Sequence, residues 1–98
     1  MIIDIIQTEE FKDWLDSLDS KEQSLVVLRL MRISKHGHFG DTKFIDSNLA
    51  ELRWKNGIRV YFTKLSNTKL IILLGGKKNA QKKDIKKARI LIERYVSY

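Results

Sequence analysis

The chain has 98 residues and a mass of 11.5 kDa, which is enough for one domain with a modest core. Its 43% apolar content is typical of a globular protein, and its longest apolar run, residues 70–74, is far too short to span a membrane. The lack of cysteine excludes disulfides, thiolate zinc sites and cysteine nucleophiles. No signal peptide is visible. We therefore predict one cytoplasmic domain over residues 1–98, with no membrane partner.

The net charge of +7 is distributed unevenly along the chain. Residues 1–52 carry 6 Lys/Arg and 10 Asp/Glu, whereas residues 53–98 carry 13 Lys/Arg and 2 Asp/Glu. The two parts therefore have net charges of −4 and +11. A basic half of this kind suits a polyanion or an acidic partner. A basic face that only keeps the protein in solution is the alternative, and charge alone does not decide between them.

The first elements are predicted from β-branched composition and then from helical spacing. Residues 2–6 are rich in isoleucine and predict a strand. Thr8 is expected to cap a helix whose first turn is acidic, as the helix dipole favours. The apolar residues of this helix recur at positions i, i+3, i+4 and i+7, and they are Phe11, Trp14, Leu15 and Leu18.

A second helix is predicted from a capping pattern and a long apolar segment. Ser20, followed by Gln23 three residues later, resembles a capping box and predicts the start of this helix. Gly37 is expected to end it in the left-handed conformation. Residues 36–41 then form a turn-rich connection.

After this connection the apolar period drops to two, which predicts a hairpin. Residues 49–54 and 58–63 alternate around the turn dipeptide Asn-Gly at positions 56–57. Arg53 and Arg59 should therefore share the face opposite the core. Cross-strand neighbours lie about 5 Å apart, so these two arginines could converge on one phosphate.

The remaining segments predict a buried strand and a last helix. Residues 70–74 have no polar alternation, so we expect a strand that is covered on both faces. A helix follows, with Ile85, Ala88 and Tyr95 at helical spacing. The resulting order is β-α-α-β-β-β-α. It predicts an α+β fold with helices packed on one face of a small, mainly antiparallel sheet.

Three stretches of the basic half form an ordered set of motifs. Residues 51–53 read Glu-Leu-Arg, residues 57–62 read Gly-Ile-Arg-Val-Tyr-Phe, and residues 72–81 contain Gly-Gly-Lys-Lys. Together with the rest of the chain, this set resembles the RelE/ParE superfamily of type II toxin–antitoxin toxins. The resemblance is to its HigB-like branch, also called addiction-module killer or phage Gp49-like proteins.

The resemblance implies a function together with a RelE/ParE-like fold. Such toxins arrest growth until a cognate antitoxin binds, and in this branch the antitoxin is usually a small helix-turn-helix protein. Many members are ribosome-dependent mRNA endonucleases that use no metal, so mRNA and the ribosome are expected partners. ParE-type relatives inhibit DNA gyrase instead, and a plain nucleic-acid-binding module is a third possibility.

Three residues match motif positions that imply catalytic roles. Arg53 matches the arginine of the Glu-Leu-Arg motif, Arg59 that of a Tyr-Arg-Val-Tyr motif, and Lys78 the lysine of a Gly-Gly-Asp-Lys motif. The arginines would stabilise the charge that develops on the phosphate, and Lys78 would transfer a proton. Lys77 stands where the family usually has aspartate, and Ile58 replaces the usual aromatic residue.

Further polar residues near these motifs are expected to contact RNA. They are Tyr61, Lys77, Gln81, Lys82 and Lys83. His36 and His38 are the only two histidines and lie in one turn, and there is no cysteine. Three protein ligands for zinc would therefore require distant carboxylates, so we predict neither a metal nor a cofactor.

Overall fold

A computed structural model describes residues 2–96, in which a five-stranded sheet is combined with three α-helices. The elements in chain order are β1 (Asp4–Gln7), α1 (Glu9–Ser17), α2 (Ser20–His36), β2 (Thr42–Asp46), β3 (Leu49–Arg53), β4 (Ile58–Ser66), β5 (Lys69–Lys77), a short 3₁₀ helix (Lys78–Ala80) and α3 (Gln81–Tyr95). The strands lie in the order β1-β5-β4-β3-β2, and only the β1–β5 pair is parallel. The α+β class and the mainly antiparallel sheet are confirmed.

The structure contains one strand, β2, that the sequence analysis did not predict. It pairs with β3 at the edge of the sheet, and Thr42 lies opposite Leu52. Its Phe44 is 66% exposed, so the strand buries little and shows no clear alternation of apolar and polar residues. An edge strand of this kind is held mainly by its backbone pairing, which leaves a weak sequence signal.

The helix ends follow the predicted chemistry with one correction. The Thr8 hydroxyl accepts a hydrogen bond from the Phe11 N–H at 3.0 Å, which confirms it as the cap of α1. The cap of α2 is Asp19, not Ser20, because the Asp19 carboxylate accepts from the Glu22 N–H at 2.8 Å. Gly37 ends α2 with a φ of 67°, as predicted.

The two faces of the sheet are covered by different helices. On one face the alternating residues Ala50, Leu52, Val60 and Phe62 point inward, as predicted, and pack against α1 and α2. On the other face α3 packs through Ala88, Leu91 and Ile92. The placement of the helices is thereby refined: α1 and α2 share the predicted face, and α3 covers the opposite one.

Strand β5 is buried on both sides, as its uninterrupted apolar run predicted. Leu70 and Ile72 belong to the core beneath α1 and α2, whereas Ile71 and Leu73 belong to the core beneath α3. Within residues 2–96, no helix is both long enough and apolar enough to cross a membrane.

Candidate functional site

The β3–β4 hairpin brings the predicted site residues to one end of the sheet. Arg53 and Arg59 are register partners in the antiparallel pair. The turn between them is closed by hydrogen bonds between Trp54 and Ile58 and between Gly57 and Trp54, at 3.0 and 3.1 Å. Gly57 adopts a φ of 98°, a positive value that glycine adopts more readily than other residues.

The same turn positions the start of the C-terminal segment. The Lys78 N–H donates to the Gly57 carbonyl at 2.8 Å, so the hairpin holds the backbone at the end of β5. The Lys78 side chain is exposed beside the turn. The tertiary structure thus places Lys78 next to Gly57, which precedes it by 21 residues in the chain.

A buried carboxylate lies behind the two arginines. Glu51 is completely buried, and its carboxylate accepts a hydrogen bond from the Gln81 side-chain amide at 2.6 Å. The other carboxylate oxygen lies 3.8 Å from Arg53 Nε and 4.0 Å from Arg59 Nε. Glu51 therefore links β3, β4 and the first residue of α3.

Arg59 is buried, contrary to the expectation that it lies on an exposed surface. Only 9% of its side chain is accessible, and its terminal nitrogen donates to the carbonyls of Trp54 and Ile58 at 3.0 and 2.9 Å. The strand alternation was correct, but α3 covers the face to which this side chain points. Arg53 differs from it because 39% of its side chain is accessible.

Two further residues, Tyr61 and Asp84, belong to the same polar group around Glu51. We call this group the Glu51 cluster, and its members are Glu51, Arg53, Arg59, Tyr61 and Asp84. Within residues 2–96, each has a buried side-chain nitrogen or oxygen atom without a hydrogen-bond partner. Burial raises the pKa of the Tyr61 hydroxyl, and the Glu51 carboxylate raises it further. Burial also raises the pKa of Asp84, while Lys83 and Lys87 oppose this change.

Two adjoining pockets open on the solvent side of the hairpin. The first, here called the hairpin pocket, has a volume of about 350 Å³ and is lined by Lys55, Asn56, Gly57, Lys77, Lys78 and Asn79. The second, here called the α2 groove, has a volume of about 430 Å³ and is lined by Leu25, Leu28, Arg29, Arg32, Gly40, Asp41, Arg53, Trp54 and Lys55. Lys55 lines both, so the two pockets form one basic track.

The predicted site residues divide into three groups. The first group surrounds Glu51 and consists of Arg53, Arg59, Tyr61 and Gln81. Lys77 and Lys78 line the hairpin pocket, although the Lys77 ammonium also pairs with Glu22 of α2. Lys82 and Lys83 are exposed on α3 and line neither pocket.

Four residues of the basic track were not identified from the sequence. They are Arg29, Arg32, Trp54 and Lys55. Lys55 directly precedes the Asn-Gly turn, and this position beside a predicted site could have identified it. Arg29 and Arg32 lie in the acidic half of the chain and reach the site only through packing of α2, so no local signal identifies them.

The arrangement offers positive charge for a phosphate. Arg53, Lys55 and Lys78 provide accessible cations, and the buried groups behind them hold the strand ends in place. Among residues 2–96, no three histidine or carboxylate side chains are grouped as a metal site would require. The chemistry that these residues support is electrostatic stabilisation and proton transfer at a polyanion.

Comparisons with other proteins identify the family. Residues 13–96 match the family described as Phage derived protein Gp49-like. An uncharacterized protein of Haemophilus influenzae is 35% identical over 96 residues, which cover 95% of this chain and 96% of the relative.

Solved structures share the fold at low sequence identity. An arginine double mutant of the Escherichia coli toxin RelE in the free state matches with a TM-score of 0.74 and 12% identity, over 98% of this chain and 100% of that one. The RelBE2 toxin–antitoxin complex of Mycobacterium tuberculosis matches with a TM-score of 0.66 and 15% identity, over 79% and 99% of the two chains. The chain therefore belongs to the Gp49-like family, the branch that its motifs indicated, and it has the fold of RelE.

Proposed function

We propose that the protein is the toxin of a type II toxin–antitoxin system and that it cleaves mRNA on the ribosome. Family membership and the fold of RelE support the toxin assignment. The RelBE complexes that share this fold support an antitoxin partner. In this proposal the toxin acts in the cytoplasm, and a small helix-turn-helix protein neutralises it.

One observation carries the choice of an RNA-cleaving toxin. The accessible cations Arg53, Lys55 and Lys78 lie where the hairpin meets the end of β5, in two pockets that share Lys55. Attack of a ribose 2′-hydroxyl on the adjacent phosphate requires a fixed backbone, stabilisation of charge and transfer of protons. A set of accessible cations at the end of β3, in the hairpin turn and at the start of the 3₁₀ helix meets the first two of these requirements.

Each side chain has a distinct role in the proposed reaction. Arg53 binds the scissile phosphate, because a guanidinium remains charged and can donate two parallel hydrogen bonds. Lys78 transfers a proton to the leaving oxygen or from the attacking hydroxyl. Arg59 is largely buried, so it acts as a positioning residue that fixes the hairpin through the carbonyls of Trp54 and Ile58.

Induced expression followed by primer-extension mapping tests this function. Wild-type protein should arrest growth and produce discrete cuts within translated messages, and co-expression of the neighbouring antitoxin should prevent both effects. Lys78→Ala should reduce cleavage by about 10²-fold, because general acid–base catalysis contributes at least that much.

Lys86→Ala is the matched control, because Lys86 is an exposed lysine of α3 that lines neither pocket. Its cleavage should remain close to wild type. Growth arrest with DNA damage signalling and intact messages would indicate a gyrase inhibitor and refute the endonuclease. Normal growth at confirmed expression of folded protein would refute the toxin assignment.

A further inference from the structure

The α2 groove has features that the proposed cleavage reaction does not use. Its floor and walls combine the apolar side chains Leu25, Leu28 and Trp54 with the cations of Arg32 and Lys55. Leu28 is 51% exposed and Leu25 is 40% exposed, although both lie on a helix that packs on the core. Among residues 2–96, Asp41 is the only acidic residue that lines the groove.

One wall of the groove is rigid. The Arg29 guanidinium donates hydrogen bonds to the backbone carbonyls of Phe39, Arg53 and Asp41, at 2.8, 2.5 and 2.5 Å. It also lies over the Trp54 ring, 4.3 Å from the ring centroid. Arg29 thus joins α2, the following loop and β3, and it holds Trp54 in a fixed orientation beside the groove.

The loop is shaped to allow this contact. Gly40 has a φ of 73°, and a Cβ atom at this position would lie only 3.2 Å from the Arg29 guanidinium. The absence of a Cβ atom at Gly40 therefore leaves room for Arg29, whose hydrogen bonds preorganise this wall of the groove.

The remaining cations of the groove are available to a ligand. Within residues 2–96, Arg32 and Lys55 form neither an ion pair nor a hydrogen bond through their side chains, and both are exposed. Cations without partners beside exposed apolar and aromatic surface are the combination by which proteins bind single-stranded nucleic acid. Phosphates pair with the cations, while bases and sugars contact the apolar groups.

We infer that the α2 groove binds the nucleotides of single-stranded RNA that flank the bond cleaved beside Arg53 and Lys78. This inference rests on the proposed function, since Lys55 connects the groove to the pocket that holds Lys78. Arg32 and Lys55 bind phosphates of the flanking nucleotides, and Leu28 and Trp54 contact their bases. The groove thereby extends the RNA site onto α2, in the acidic half of the chain.

Binding of a labelled, single-stranded RNA of eight nucleotides, measured by fluorescence anisotropy, tests the inference. Methylation of its 2′-hydroxyls prevents cleavage, so that affinity alone is measured. Arg32→Glu should weaken binding by about tenfold or more, because it removes a phosphate contact and adds a repulsive charge. Arg32→Ala should also reduce the dependence of binding on salt, by about one phosphate contact.

Two matched variants separate the groove from general charge and hydrophobicity. Lys35→Glu makes the same change of charge one turn farther along α2, outside the groove, and should weaken binding clearly less than Arg32→Glu does, because it removes no direct phosphate contact. Leu28→Ala should weaken binding severalfold. Met31→Ala should not, because this similarly exposed apolar residue of α2 lines a different pocket. Thermal melting of all variants confirms that they fold.

Several outcomes overturn the inference. The inference is wrong if Arg32→Glu and Lys35→Glu weaken RNA binding equally, or if Leu28→Ala leaves the affinity unchanged. It is also wrong if the wild type does not bind the RNA. If Arg32→Glu weakens binding of the antitoxin and not of the RNA, the groove binds a protein, and the inference is also wrong.

The proposed function fails separately. RNA binding that depends on Arg32, in a protein that cleaves no message, supports the groove and refutes the endonuclease. Cleavage that Arg32→Glu leaves unchanged refutes the groove and leaves the endonuclease standing.

Discussion

The same strands present two buried faces, and only one of them also buries charged side chains. On the face beneath α1 and α2, residues such as Leu52, Val60 and Phe62 form an apolar core. The face beneath α3 also holds an apolar core, with Ile71, Leu73 and Leu91, but at its hairpin end Glu51 and Arg59 are buried beside polar atoms that lack hydrogen-bond partners within residues 2–96. Adjacent residues along one strand therefore lie in very different environments.

The apolar and the polar buried residues have different roles, since the former stabilise the fold and the latter orient the residues of the proposed site. Burial of apolar area stabilises the fold by about 25 cal/mol per Å². A buried ion pair contributes little net stability, because removal of both charges from water offsets their attraction. The two apolar cores therefore account for most of the folding free energy. The Glu51 cluster fixes the directions of Arg53, Arg59 and Gln81 at the end of the sheet where the proposed site lies.

The largest expected effect is on the apolar face. Phe62 is 1% exposed and stacks on Phe39 with ring centroids 5.7 Å apart. Phe62→Ala should lower the free energy of unfolding by about 3–5 kcal/mol, because it leaves a cavity in the core. Thermal and urea denaturation measure this loss. A change below about 1 kcal/mol would contradict the assignment of stability to this face.

Removal of Arg59 should have the next largest effect. Arg59→Ala leaves the carbonyls of Trp54 and Ile58 without this donor and removes a positive neighbour of Glu51. We expect a loss of about 1–3 kcal/mol in urea denaturation, since two carbonyls lose their donor and Glu51 keeps only Arg53 as a charged neighbour.

A double variant provides the control for Arg59. Arg59→Met combined with Glu51→Gln should recover part of the stability, because no buried carboxylate then remains, but it should not recover cleavage. A single Arg59→Ala variant that is as stable as the wild type would show that the cluster contributes nothing to folding.

Tyr61→Phe should change the free energy of unfolding by a smaller amount, and in the opposite direction. The Tyr61 hydroxyl is buried beside the Glu51 carboxylate without a hydrogen bond of good geometry within residues 2–96, so its removal loses little and relieves part of a desolvation cost. We expect the free energy of unfolding to rise by about 1 kcal/mol or to remain unchanged. A marked loss of stability would mean that the hydroxyl forms a hydrogen bond in solution.

The smallest expected effect is a pH-dependent change in melting temperature that arises from Asp84. Burial raises the pKa of Asp84, so the folded state favours the protonated carboxyl group. The resulting contribution to the free energy of unfolding is fully present below the ordinary aspartate pKa. That stability is lost as the pH rises through the pKa of the folded state. Asp84→Asn should therefore raise the melting temperature slightly at about pH 7 and leave it unchanged at about pH 3. A gain of equal size at both pH values would contradict the role of ionisation.

Local sequence signals were sufficient for most of the secondary structure. The Asn-Gly turn, the period-two alternation and the caps at Thr8 and Gly37 depend on near neighbours in the chain, so they were predictable. Asp19 replaced Ser20 as the cap of α2 because both residues can accept the hydrogen bond, and the backbone conformation selects one of them. Strand β2 was missed because an exposed edge strand needs little apolar alternation.

The sequence by itself determined the α+β class, the hairpin, the apolar face and the family. The tertiary structure alone decided that α3 covers the second face, which buries Arg59 and Tyr61, two residues predicted to be exposed. It also placed Arg29 and Arg32 beside Trp54. Alternation reports which side of a strand a residue occupies, but whether that side meets solvent depends on the packing of helices that are distant in the chain.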